Sequence, residues 1–132
     1  MFRFMLDTNI CIYAMRGRHM NLHGRLEANY GGLVISSVVF AELIFGVEKS
    51  DRRDANLAAL EVFAKTMEVL PFDRAAAMHY GEIRAELERA GTPCGQADIQ
   101  IGAHARSLGL TLVTNNRREF DRMPGLKVEN WV

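Results

Sequence analysis

Short apolar segments alternate with helix-length amphipathic ones along this chain, and that alternation restricts its fold more than any other feature. Phe2–Leu6 is apolar apart from Arg3 and reads as a buried strand. Leu33–Ser36, Val69-Leu70 (closed by Pro71), Leu110–Val113 and Leu126–Val128 read the same way. Helical patterns lie between them. Asp7-Thr8-Asn9 supplies capping side chains for a short helix over Ile10–Met15, and His19 to Asn29 forms a second that stops at Gly31-Gly32. Ser37 caps a helix running to about Lys49, and Leu57, Leu60, Ala64 and Met67 form an apolar stripe. Ala76, Tyr80, Ile83 and Leu87 share one face of a long helix ended by Gly91. A helix from about Gln96 to Leu108 ends at Gly109, and a short one covers Arg117–Asp121. Strands that alternate with helices predict an α/β fold with a parallel sheet covered on both faces. In such sheets, sites form beyond the carboxyl ends of the strands.

Composition narrows the class. A length of 132 residues with a hydrophobic share of 48% predicts one packed domain over residues 1–132. Lys+Arg and Asp+Glu each number 16, so the formal net charge is zero. The chain therefore has no global pull toward nucleic acid, and any RNA contact must come from a local basic patch or a bound cation. Cys11 and Cys94 form no metal-type pair. The opening MFRFMLDTN is too short an apolar run for export or membrane spanning, so free thiols in a cytoplasmic protein are expected.

Four acids stand where acids are expensive or exposed to a cleft. Asp7 directly follows the first strand, either as a helix cap or as a site residue. Glu42 lies within VVFAELIF, in line with Val38 and Phe45, where a carboxylate needs a cation or donors unless it lies at the margin of the helix. Asp98 lines up with Ile101, Ala105 and Leu108 in the first turn of its helix, where the dipole favours negative charge. Asn116 and Glu119, in TNNRREF, follow a strand at the same end of the sheet as Asp7. Clustered carboxylates raise one another's pKa unless a cation is present. An all-oxygen set suits Mg2+ or Mn2+ better than Zn2+, and such ions serve phosphoryl chemistry.

Other signals read as structural. His19 and His23 have the spacing of a zinc pair but no third ligand motif, and His79 and His104 sit within helices as packing residues. Arg117 and Arg118 flank the cleft, as phosphate contacts or as a solvated face.

With FMLDTNICIY, ISSVVFAELIFGVEKS, GTPCGQADIQIGAHARSLGLTLVTNNRREF and PGLKVENWV in this order, the chain resembles the PIN-domain nucleases over its whole length, and within them the VapC-type toxins of bacterial toxin–antitoxin systems. The resemblance implies a PIN-type parallel sheet flanked by helices and a metal-dependent endoribonuclease with Asp7, Glu42 and Asp98 as its acids. Many relatives carry Asp where this chain has Asn116, and Glu119 is the nearest carboxylate to replace it. Also implied are Mg2+ (or Mn2+) held by Asp7 and Asp98, a role for Glu42 in ligation through water or in orienting the nucleophile, and a water held by Thr114 or Asn116. The implied partners are an RNA substrate such as tRNA, a second copy of the chain, and a cognate antitoxin through which DNA is bound indirectly.

Rival readings fit less well. A haloacid-dehalogenase-type phosphatase wants a second Asp two residues after the first, where this chain has Asn9. A phospho-acceptor signalling domain wants adjacent acids and a late lysine, whereas Met5 and Leu6 precede Asp7. A housekeeping RNA-processing nuclease of the same fold and a non-catalytic PIN scaffold are the remaining alternatives.

Overall fold

A computed structural model describes residues 1–132. In chain order the elements are β1 (Phe4–Leu6), α1 (Thr8–Arg16), α2 (Met20–Ala28), β2 (Leu33–Ser36), α3 (Ser37–Glu48), α4 (Arg53–Ala64), β3 (Glu68–Leu70), α5 (Arg74–Arg89), α6 (Gln96–Ser107), β4 (Thr111–Val113), α7 (Arg117–Phe120) and β5 (Lys127–Glu129). All five strands pair in parallel, in the order β3-β2-β1-β4-β5. The central strands β1, β2 and β4 hold the fully buried Met5, Leu6, Val34, Ile35, Leu112 and Val113. Each such side chain contributes about 1.5–3 kcal/mol of transfer free energy. The edge strands β3 and β5 are mostly exposed or half-buried and carry Glu68, Lys127 and Glu129, charges that discourage edge-to-edge pairing.

Local chemistry sets the helix starts. Asp7 Oδ1 accepts from the Ile10 amide at 2.9 Å, and Asp73 Oδ1 from the Ala76 amide at 3.0 Å. α1 ends on Gly17, whose φ of 67° lets its N–H return to the Tyr13 and Ala14 carbonyls. The cap of α3 is Ser36 rather than the expected Ser37: Ser36 Oγ accepts from the Val38 amide at 3.1 Å. Ser37 Oγ instead accepts from the Phe72 amide at 3.0 Å, tying the end of β3 to α3. Met67 lies beyond the end of α4, outside the helical stripe expected of it.

The strand order reverses direction between β1 and β4, which lead into α1 and α7 on leaving the sheet. This is the switch point of a doubly wound sheet, where diverging connections leave a crevice. Asp7 follows β1 there, its amide donating to the Val113 carbonyl at 3.1 Å, and Thr114 follows β4. α6 packs along α5 and touches α3 and α7, which brings its first turn to the same crevice.

Candidate active site

A cavity of about 220 Å3 opens at this switch point, lined by Asp7, Thr8, Asn9, Glu42, Asp98, Ile101, Asn116 and Phe120. Two larger concavities elsewhere contain no acid. One lies between α2 and the C-terminal tail, the other between α1, α3 and α4. The small cavity is the one that gathers three carboxylates.

Asp7 is both cap and cleft residue, so its two readings hold together. One carboxylate oxygen caps α1 while the side chain lines the cavity at 5% exposure. Burial pushes its pKa up; the Thr114 hydroxyl and the Ile10 amide oppose that, and the Glu42 charge adds to it. Thr114 is itself fully buried and accepts from the Asn116 amide at 2.9 Å, which turns the loop after β4 toward the cavity.

Of the two settings open to Glu42, the margin of the helix is the one observed. The buried line of α3 is Val39, Leu43 and Val47; Glu42 is exposed, and Phe45 is 64% exposed. At 100° per residue, Val38, Glu42 and Phe45 form the neighbouring strip, which meets solvent at the cavity mouth. Glu42 is anchored there by the Thr8 hydroxyl, which donates to its Oε1. Leu108 also falls outside its expected stripe, because α6 ends at Ser107 and leaves it 45% exposed.

Asp98 is half-buried, with Ile101 and Ala105 on the core side of the same helix. Its pKa is raised to about 7, first by burial, then by a hydrogen bond with Glu119, and then by the charges of Glu119, Glu42 and Asp7. Glu119, half-buried on α7, therefore meets Asp98 but does not line the cavity, where Asn116 stands instead. All four acids foreseen from sequence are thus brought together: Asp7, Glu42 and Asp98 around the cavity, Glu119 behind Asp98.

The sequence patterns did not flag Thr8 as the anchor of Glu42 or Cys94 as a neighbour of the acids. The Cys94 thiol approaches the Glu119 carbonyl at 3.7 Å, and burial followed by the Glu119 charge raises its pKa. The only available signal for Thr8 was its place beside Asp7 in a turn.

A divalent cation fits this donor set. No three His, Cys, Asp or Glu side chains converge closely enough to enclose an ion, as a structural zinc site requires. Mg2+ and Mn2+ make a smaller demand, since Mg2+ keeps several waters and takes one or two carboxylates. Asp7 and Asp98, facing one water-accessible cavity, meet that demand, and the burial and neighbouring carboxylates that raise the Asp98 pKa mark where positive charge is wanted.

Comparison with known proteins agrees with this architecture. The family model for the PIN domain matches residues 4–126. The tRNA(fMet)-specific endonuclease VapC of Shigella flexneri is 50% identical over 99% of both chains. Ribonuclease VapC2 of Haemophilus influenzae is 45% identical over the whole of both. A chain of the crystal structure of DNA-bound VapBC from Salmonella typhimurium superposes with a TM-score of 0.96, at 48% identity and full coverage of both chains.

Proposed function

The chain belongs to the PIN-domain family, among the VapC ribonucleases, and from that premise we propose that it is a divalent-metal-dependent endoribonuclease toxin of the cytoplasm, acting on tRNA and held in check by a cognate antitoxin. The observation that carries this reading is the switch-point cavity, which Asp7, Glu42 and Asp98 line together and where burial and neighbouring carboxylates raise the Asp98 pKa.

Asp7 and Asp98 would hold Mg2+ or Mn2+ directly. When bound, such an ion supplies neutralisation of the phosphodiester charge and activation of water. The chain's own groups do the rest. Thr114 and the Ile10 amide fix the Asp7 carboxylate, so that it need not reorganise when substrate arrives. Glu42, pinned by Thr8 at the cavity mouth, is placed to orient the attacking water and accept its proton. Glu119 supports Asp98 from behind. Asn116 offers the cavity a neutral oxygen and is suited to hold a water. Cleavage should vanish in excess chelator and return with Mg2+ or Mn2+; full activity in chelator excludes the mechanism.

Antitoxin binding is assigned to the groove of about 450 Å3 between α1, α3 and α4. Ile12, Met15, Leu43, Val47 and Leu60 line it, with Arg16 and Lys49 among them. α1 and α3 also carry Thr8 and Glu42, so a partner segment laid in the groove reaches the acids, where an arginine can pair with a carboxylate in place of the ion. A dimer of the chain would let two antitoxins engage two DNA half-sites. Coexpression with the neighbouring reading frame should yield a copurifying complex that does not cleave RNA; failure to copurify leaves a nuclease without the toxin role.

A further inference from the structure

The acid cavity repels the polyanion it is proposed to cut. A bound RNA strand therefore needs cations and stacking surfaces just outside it. The α1–α2 turn offers both. No Asp or Glu occurs from Thr8 to Leu26, although acids average about one in eight residues over the chain. Of the three arginines in that run, Arg25 is engaged by Glu129 and Trp131, and Arg16 lines the groove between α1, α3 and α4. Arg18 is exposed and enters no ion pair.

Beside Arg18, His19 packs against Tyr13 with ring centroids 4.6 Å apart and planes tilted by 57°. Both residues are half-buried, so part of the pair faces solvent. Tyr13 is also the link to the cleft. Its hydroxyl accepts from Asn115 Nδ2 at 3.1 Å, and Asn115 directly precedes the cavity-lining Asn116. That bond holds Asn115 although its Oδ1 is buried without a partner. Turning the amide over would only exchange an unpaired acceptor for an unpaired donor. This side-chain bond ties the loop after β4 to the body of α1, beside the Thr114 bond to its cap Asp7. Arg118, three residues on in α7, is likewise exposed and outside every ion pair.

We propose that the Tyr13–His19 pair, with Arg18 and Arg118 from the two segments it joins, is a nucleotide subsite beside the cleft that takes a base and phosphate flanking the scissile bond in unpaired RNA. Aromatic stacking with cationic side chains is how single strands are held without base readout. The Tyr13–Asn115 bond sets the distance from this subsite to the acids. The proposal rests on the ribonuclease reading.

The test uses the full chain carrying Asp7→Asn, so that RNA is bound but not cut, and a fluorescein-labelled single-stranded 12-nucleotide RNA of mixed sequence in Mg2+ buffer. Arg18→Ala should weaken binding several-fold and reduce the slope of log K against log salt by about 0.7, one phosphate contact on a single strand. His19→Ala should weaken binding about fivefold or more with the slope unchanged, and His19→Phe should restore it. Arg84→Ala, whose arginine pairs with Glu88 on α5, should bind as the parent does. With Asp7 intact, Arg18→Ala and His19→Ala should raise KM and leave kcat within about twofold. Parental affinity in both variants, or equal losses in Arg84→Ala, overturns the subsite. If the variants match the parent while the parent cleaves RNA, the nuclease reading stands alone; if the parent neither binds nor cleaves RNA, that reading falls first.

Discussion

At the scale of single residues, Asp7 and Asp98 make separable demands on the fold. Asp7 caps α1 as well as lining the cavity. Asn caps a helix about as well as Asp, whereas Ala does not. Asp7→Asn should therefore lose cleavage by orders of magnitude with little change in urea midpoint. Asp7→Ala should lose cleavage and about 1 kcal/mol of stability as well. Asp98 has its pKa raised from 3.8 to about 7. The folded state then holds a proton that the unfolded state has already released, so stability contributed by that proton is lost as pH rises from about 4 through 7. Asp98→Asn should stabilise the metal-free protein above pH 7, by about 1–2 kcal/mol after discounting for partial solvent exposure, and change little at pH 4. Urea unfolding at the two pH values checks this, and an equal effect at both would place Asp98 outside the cluster. Because the proton must leave before a cation enters, Mg2+ affinity should rise about tenfold from pH 6 to 8. Glu119→Gln removes the charge that raises the Asp98 pKa and offers an N–H donor to the ionised carboxylate, and should move that rise to lower pH; calorimetric titration across pH reads both.

At the scale of elements, α6 is the piece whose placement decides whether Asp98 reaches the cavity. Gly102 lets it pack closely. A Cβ there would lie 2.5 Å from Met123 Sδ and 3.2 Å from Leu126 Cδ2. Met123 is flexible but buried, so Gly102→Ala should destabilise by about 1–3 kcal/mol and weaken Mg2+ binding in step, as α6 is pushed from the chain beyond α7. Thermal melts and titration of the same variant test the coupling. The elements themselves were readable from sequence, because their apolar runs are short, regular and bounded by Asp, Ser, Gly and Pro. Errors fell where neighbours compete. Two adjacent serines offer equivalent caps, and only the tertiary contact of Ser37 with Phe72 decides for Ser36. Both settings of Glu42 stay open in the sequence because α3 is apolar on nearly every side, so periodicity alone does not say which strip faces the core.

At the scale of the whole molecule, the convergence of the acids is a property of topology. Asp7, Glu42, Asp98 and Glu119 are scattered over more than a hundred positions, yet parallel pairing in the order β3-β2-β1-β4-β5 puts the ends of β1 and β4 side by side. Parallel pairing was legible from the alternation of elements; the strand order was not, because nothing local encodes which strands are neighbours. For the same reason the Thr8–Glu42 anchor and the link between Asn115 and Tyr13 could not be read before the fold was known. Such long-range side-chain bonds refine the cleft, while the proposed chemistry rests on the acids. The most direct test of that chemistry compares tRNA cleavage by the parent and by Asp98→Asn across a Mg2+ titration. The parent should cut at discrete positions with a rate that saturates in Mg2+ and falls to background in chelator, and Asp98→Asn should stay at least about a hundredfold slower at every Mg2+ concentration. Equal rates and equal Mg2+ dependence in the two proteins would contradict the assignment of the carboxylate cluster as the catalytic centre.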